Sequence, residues 1–282
     1  MREHLPPDAV VGIVAGGGNL PHGLQAYLAN QGVAYRTIAV AGEAAANLRA
    51  DAMVSIADIE GVMRHLDRQG VTHAVLIGTI GRRPHVWEGR VGLRSLPLIG
   101  RVIRALPKGD DAMLRAVIAS FERVGVTVLG IHEVWPELLA EPGAHGRYAP
   151  NAASLRELEL ALRAARKLGE LDVGQGAVAI GRRVVALEGL EGTDAMLERV
   201  AVLRSEGRLP DKRGGVLVKA VKPDQERRAD LPTIGPTTIR AADSAKLAGI
   251  AVLAGATLIA ERETTVSEAD ERGLFLWGIA DE

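Results

Sequence analysis

The sequence predicts an α/β protein: a mostly parallel, doubly wound sheet in the first half, followed by a distinct α/β C-terminal domain. Three observations lead there. Short β-branched runs alternate with helical periods over residues 10–130, the first run ends on three glycines, and a Gly-, Pro- and Asn-rich stretch separates the two halves. With 282 residues the chain exceeds the usual single-domain size. The expected division is residues 1–142, a linker at 143–151 (GAHGRYAPN), and residues 152–282.

Val10–Ala15 (VVGIVA) reads as a buried strand that stops at Gly16-Gly17-Gly18. Residues 21–31 read as a helix, with Pro21 early, where a missing N–H does no harm. Residues 35–40 and 53–57 read as strands, residues 59–69 as a helix through Ile59, Val62, Met63 and Leu66, and HAVLI (73–77) as a further buried strand. A helix is expected from Asp110 to Arg123 and a strand at 126–130. Beyond the linker, Ser154 with Glu157 three residues on reads as a capping box opening a helix to Leu168. Strands at 176–180 and 184–187 flank the turn Gly181-Arg182-Arg183. A helix over 194–206, a strand over 215–221 and a helix after Pro236 complete the reading.

Composition narrows the function. Hydrophobic residues make up 47% and charged residues 24%, ordinary for a soluble globular chain, but aromatics are only 3%, so the core must be aliphatic. A net charge of −1 argues against nucleic acid as a partner, since phosphate backbones need a concentrated positive field. There is no cysteine, which removes disulfides, thiolate metal sites and a thiol nucleophile, and suits a reducing cytoplasm. The opening MREHLPPDAVVGIVAGGG lacks the long apolar stretch of a signal peptide, and no window has the ~18 consecutive apolar residues of a spanning helix.

Several stretches carry candidate chemistry. The strand–GGG–helix turn can hold a phosphate on backbone N–H groups, though a tight turn with no ligand would read the same. Its third fingerprint position is Pro21 and no carboxylate ends the second strand, which disfavours a nicotinamide cofactor. Gly78-Thr79-Ile80-Gly81-Arg82 follows a buried strand at the sheet's carboxyl edge, where Thr79 and Arg82 can meet an anion; equally, its arginines can simply coat the surface. Residues 82–108 carry seven basic residues against Glu88, net +6, with Leu98, Ile99, Val102, Ile103 and Leu106 on one helical face. Such a segment suits an anionic membrane surface or a lipid, or a core-facing helix with a solvated basic side. Asp110 and Asp111 open a helix, where opposing the dipole suffices to explain them, though paired aspartates also ligate Mg2+. Gln175, Thr193 and neighbouring acids gather oxygen-bearing groups at element ends of the second half, though a turn and an N-cap explain Thr193 and Asp194 without any function.

The most charged stretch is KPDQERRADLPTIGP, Lys222 to Pro236, in which six of the first nine residues are charged and sum to zero. If extended, it places Asp224, Glu226, Arg228 and Asp230 on one side, next-but-one neighbours roughly 6.5–7 Å apart. Carboxylates so spaced can converge on Mg2+ while arginines neutralise phosphate. Thr233 leads into a helix N-terminus, another anion-friendly feature. A solvated loop would look the same.

Taken in order, GGGNLP, GTIGRRP, GDDAML, LDVGQGAV, EGTDAMLERV and KPDQERRADLPTIGP resemble the LpxI-type UDP-2,3-diacylglucosamine pyrophosphatases over nearly the whole chain. The resemblance implies a Rossmann-like first domain and Mg2+-dependent hydrolysis of UDP-2,3-diacylglucosamine to UMP and 2,3-diacylglucosamine 1-phosphate, in lipid A biosynthesis. A cytoplasmic enzyme is expected, with the amphipathic segment around residues 98–106 receiving acyl chains or resting on the inner membrane, and exposed apolar faces suit a homodimer. Asp224, Glu226 and Asp230 are expected to bind the metal and activate water, with Lys222, Arg227 and Arg228 stabilising phosphoryl charge. Substrate contacts are expected at Gly16, Gly17, Gly18, Asn19, Leu20, Gly78, Thr79, Gly81, Arg82, Asp110, Asp111, Gln175, Thr193, Gln225, Arg227, Arg228 and Thr233. The family run has Asp where Glu226 stands, one methylene shorter. Two other classes stay open, a non-enzymatic nucleotide-sugar or lipid binder and an NAD-dependent oxidoreductase.

Overall fold

The structure, a computed structural model, describes residues 5–55, 58–81, 110–223 and 225–280. The chain divides into two compact units, Met1–Pro136 together with Glu226–Asp230, and Glu137–Gln225 together with Leu231–Glu282. Arg82, the amphipathic segment at 82–108 and Asp224 fall outside the described residues.

The first unit is built on five parallel strands: β1 (Val10–Ala15), β2 (Ala34–Val40), β3 (Ala52–Val54), β4 (His73–Ile77) and β5 (Thr127–Leu129). Their order is β3-β2-β1-β4-β5. Helices α1 (Leu20–Asn30), α2 (Ile59–Arg68) and α3 (Asp110–Arg123) alternate with them, and a single turn, α4 (Ile131–Val134), follows β5. Val11, Ile13 and Ala15 of β1 are fully buried, as are Leu24 and Leu28 of α1. This is the near-continuous apolar run that a parallel strand needs when both faces are covered. Winding runs outward from β1 through β2 to β3, then reverses to β4 on the other side of β1. That reversal makes the carboxyl ends of β1 and β4 a topological switch point, the place where doubly wound sheets hold ligands. The fold is therefore the doubly wound, Rossmann-like sheet expected for this half.

The second unit holds β6 (Gly143–Ala144), α5 (Ala152–Glu170), β7 (Gly176–Ile180), β8 (Arg183–Leu187), α6 (Gly192–Ser205) and β9 (Val216–Lys219). It continues with β10 (Thr233–Ile234), α7 (Pro236–Ser244), β11 (Gly249–Leu253), β12 (Leu258–Ile259), α8 (Arg262–Glu271) and β13 (Phe275–Ile279). Six strands form a mixed sheet in the order β6-β13-β11-β9-β7-β8, with β9, β11 and β13 parallel, and β10 pairs β12 separately. One face of the large sheet packs Ala177, Val216, Val218 and Ala251 with Leu158, Ala161 and Ala165 of α5. The other packs Val178, Leu217 and Ile250 with Met196, Leu197, Val200 and Ile239 of α6 and α7. Residues 143–151, read as a linker, contain β6 and the N-cap of α5.

The start of α5 differs from the expected capping box. Asn151 is the N-cap, its Oδ1 accepting the N–H groups of Ala153 (2.9 Å) and Ser154 (3.0 Å). Freed from that duty, buried Glu157 accepts the N–H groups of Gly181 (2.6 Å) and Gly215 (3.1 Å) and joins two loops to the helix. Helix α6 likewise opens earlier than expected, at Gly192, so Thr193 and Asp194 lie inside its first turn. Among the described residues no helix is long and apolar enough to cross a membrane.

Arg204, at the end of α6, is buried and gathers carbonyl oxygens: Ala245 (2.6 Å), Lys212 (2.9 Å), Gly214 (2.5 Å), Lys246 (3.3 Å) and Pro210. These would otherwise be unpaired backbone acceptors in a buried corner. Arg204→Met is expected to destabilise by about 3 kcal/mol, since hydrogen bonds to a charged donor are worth more than neutral ones and leave orphans when lost. Urea unfolding at constant m-value is the check.

Candidate active site

At the switch point the chain closes on itself. Gly17 and Thr79 form an antiparallel bridge: Gly17 N–H donates to Thr79 O (2.8 Å) and Thr79 N–H to Gly17 O (3.0 Å). Gly16 N–H donates to Ile77 O (2.8 Å), and Gly81 N–H to Glu43 Oε2 (2.7 Å). Gly78 reaches this approach at φ +98. Gly16, Gly17, Gly78, Thr79 and Gly81 are thus brought together, but four of their N–H groups serve the fold. The turn leaves an anion the N–H of Gly18, at φ +85, and the first turn of α1, where the N-cap Asn19 makes no side-chain capping bond and Leu20 is the first helical residue. Glu43, three residues past β2, was not singled out from the sequence. Its signal is the Gly42-Glu43 pair just beyond a buried strand.

The charged segment is a turn, not an extended strand. Ala229 and Asp230 N–H groups both donate to Glu226 O (3.1 and 3.0 Å), which removes the alternation expected to align Glu226, Arg228 and Asp230. The segment is anchored within the first unit. Asp111 Oδ1 accepts the Glu226 N–H (2.5 Å), while Asp111 Oδ2 pairs with Arg115. Ala229 packs on the cluster of Val62, Leu66, Ile118 and Phe121. A Cβ on Gly130 would stand 3.2 Å from Arg228 Cα, so that glycine leaves room for the turn.

Arg228 carries two carboxylates. Its Nε donates to Glu226 Oε1 (2.8 Å), its Nη2 to Glu226 Oε2 (2.9 Å) and its Nη1 to Glu122 Oε1 (2.7 Å). The guanidinium hydrogen bond holds the Glu226 carboxyl below the usual glutamate range, and the two acids raise Arg228 further. Both Glu226 oxygens are therefore engaged by the Arg228 guanidinium. Among the described residues no group of three or more acids and histidines has metal-ligand geometry. Asp230 is half-buried beside the turn, and Arg227 is exposed. Glu122 was missed because nothing on its own helix hints at a partner 106 residues away, and Arg115 because its i, i+4 pair with Asp111 reads as ordinary helix support.

In the second unit, Lys222 Nζ pairs with Asp172 Oδ1 (2.8 Å), and Asp172 itself sits at φ +53. Lys222 N–H donates to Gln225 Oε1 (3.0 Å), and Gln225 Nε2 lies 3.4 Å from Gln175 Oε1. Thr193 Oγ1 donates to Glu188 Oε1 (2.8 Å), and Thr233 O accepts from Lys219 Nζ (3.3 Å). Lys219 was not among the expected site residues. It closes the apolar strand VLVK, and a lone cation ending a buried run was its available signal.

Fold and site define a two-unit α/β protein with a glycine-lined switch point and a salt-bridged charged turn. The family model of the LpxI N-terminal domain matches residues 10–138 and that of the LpxI C-terminal domain residues 141–277. The chain belongs to the LpxI family. The UDP-2,3-diacylglucosamine pyrophosphatase LpxI of Caulobacter vibrioides is 39% identical over 273 residues, covering 95% of this chain and 97% of its own. Among solved structures, the CobK precorrin-6A reductase aligns over 94% of this chain and 98% of its own with 15% identity and a TM-score of 0.29.

Proposed function

We propose that this chain hydrolyses the pyrophosphate bond of UDP-2,3-diacylglucosamine, giving UMP and 2,3-diacylglucosamine 1-phosphate for lipid A biosynthesis. The observation that carries this reading is the end-to-end match to one pyrophosphatase, through both units. Mg2+ dependence belongs to the same reading. The ion would neutralise phosphate charge, with Asp224 and Asp230 as the carboxylates to hold it, while Glu226 is committed to Arg228. Arg228 in turn has its charge matched by Glu226 and Glu122, so its part is to position the turn. Arg227, exposed on the same turn, is the cation suited to meet phosphate. Gly18 and the start of α1 offer N–H groups to a second anionic oxygen. Association with the cytoplasmic face of the inner membrane, through residues 82–108, and a homodimer complete the proposal.

The test is UMP release from UDP-2,3-diacylglucosamine, with Mg2+ and with EDTA. Activity with Mg2+ and none with EDTA is expected; binding of substrate without UMP release would return the protein to the class of nucleotide-sugar binders. Asp224→Ala is expected to abolish turnover with the unfolding midpoint unchanged, and near-normal turnover would remove Asp224 from the mechanism.

A further inference from the structure

In the first unit, a cavity of about 430 Å³ opens at the start of β2, with Gln25, Tyr35, Arg36, Thr37, Arg49 and Asp51 in its lining. Strand β1 flanks β2 from Ala34 to Ala39, but β3 pairs only with Ile38, Ala39 and Val40. The outer edge of residues 34–37 therefore has no neighbouring strand, and the cavity is the notch left where β3 has not yet begun. From Tyr35 the strand runs roughly 17 Å further to Val40, so the notch lies at the opposite end of the sheet from the glycine-lined switch point.

In a parallel ladder a residue directs its N–H and C=O to one side, and the next residue directs its own to the other. Thr37 faces outward: its N–H donates to Asp51 Oδ2 (2.7 Å) and its O accepts the Asp51 N–H (2.8 Å). Tyr35, two residues earlier, faces outward as well. Its O accepts from Arg36 Nη1 (2.8 Å), which brings the half-buried guanidinium to the open edge, and Arg36 Nε donates to Gln69 Oε1 (3.1 Å). The Tyr35 N–H meets the notch with no strand beside it. Gln25 of α1 closes one side, its Nε2 donating to Thr37 Oγ1 (2.7 Å) and to Arg49 O (2.7 Å), and so fixes the loop that carries exposed Arg49. No described carboxylate pairs with Arg36 or Arg49.

What the edge has left to offer decides the occupant. An added peptide strand needs donors and acceptors in alternation, and Tyr35 O and both Thr37 backbone groups are already closed to it. An anion needs donors only, and these remain: the Tyr35 N–H and two guanidinium groups without a carboxylate. Guanidinium forks match the oxygens of phosphate, and the volume falls in the range of about 300–1,000 Å³ usual for small-molecule sites. We infer that this notch binds a phosphate monoester, with the Tyr35 N–H, Arg36 and Arg49 on the phosphate oxygens and the ester group in the rest of the cavity. The same chemistry is presented by a free phosphorylated metabolite and by the headgroup of phosphatidic acid. The site is independent of the reaction proposed above.

The test titrates glycerol 3-phosphate calorimetrically into the full chain as wild type, Arg36→Met and Arg49→Gln. The same three proteins are sedimented with phosphatidylcholine vesicles, with and without phosphatidic acid. Arg36→Met is expected to weaken binding roughly 10- to 100-fold and Arg49→Gln roughly three- to tenfold, each losing one charge-assisted contact, the second at a more exposed cation. UMP release and thermal unfolding are expected to stay at the wild-type level in Arg49→Gln. Arginine-dependent binding of glycerol 3-phosphate identifies a metabolite site, and arginine-dependent binding of the phosphatidic acid vesicles alone identifies a headgroup site; either upholds the notch. Equal binding by wild type and both variants, or no binding of either probe by wild type, overturns it. If Arg36→Met fails to fold for loss of its bonds to Tyr35 O and Gln69, Arg49→Gln decides by the same criterion.

Discussion

Gly78→Ala is expected to destabilise the protein by about 3 kcal/mol or more and to reduce UMP release by at least tenfold. Two independent penalties meet at this residue. Its φ of +98 lies where a side chain is strained. A Cβ there would also stand 2.6 Å from Gly17 O and 2.8 Å from Gly16 C, backbone atoms that no rotamer change can move aside. Relief requires separating the strand ends, which breaks the paired hydrogen bonds between Gly17 and Thr79. Gly32→Ala is the control: its φ is +67, but no atom lies within 4 Å of the added Cβ, so only the conformational penalty of about 1 kcal/mol applies. Equal urea midpoints for the two variants would mean that the close approach contributes nothing.

Glu226→Ala and Arg228→Met are expected to reduce turnover by similar factors, roughly 10- to 100-fold each, and the double variant should be little worse than either. Residues that act as one unit lose their function once, whichever partner is removed. The Glu226–Arg228 bonds and the Glu122 contact make such a unit. A metal-ligand role for Glu226 leads elsewhere: Glu226→Ala would raise the Mg2+ concentration needed for half-maximal rate, Arg228→Met would not, and the losses would multiply. Arg228→Lys is expected to behave like Arg228→Met, because an ammonium cannot reproduce the two-oxygen fork.

The same pair carries a pH signature. Arg228 holds the Glu226 carboxyl below its ordinary range, so the folded state binds the proton less readily than the unfolded chain. Its contribution to stability is complete above the ordinary glutamate pKa of about 4.3 and is lost as pH falls through the lowered folded value. Glu226→Gln should therefore flatten the acid limb of the stability profile and leave the neutral limb parallel to wild type. An unchanged acid limb would show that the ion pair is screened at this partly exposed site.

Much of this architecture is legible along the chain because local patterns and tertiary packing agree. β1, β2 and β4 are short apolar runs bounded by glycine or polar residues, and each recurs in the sheet within a residue or two of its expected ends. Short apolar runs after Pro236 were harder. β11 (GIAVL) and β13 (FLWGI) become strands only through parallel pairing with β9 and with each other, contacts distant in sequence. The α5 start illustrates local competition: Asn151 and Ser154 both suit an N-cap, and burial of Glu157 against Gly181 and Gly215 decides between them.

By itself the sequence determined the alternation of strands and helices, the glycine turns and the ordered motifs of the family, because periodicity and turn chemistry are written in neighbouring residues. Only the tertiary structure decided what the charges do. It folds 226–230 into the first unit, gives Glu226 to Arg228 and spends the Gly16, Gly17 and Gly81 amides on the fold. It also buries Lys219 at the end of β9, where its ammonium donates to Thr233 O. The physical reason is that a charged side chain takes its role from its partners, and those partners arrive from as far as 125 residues away.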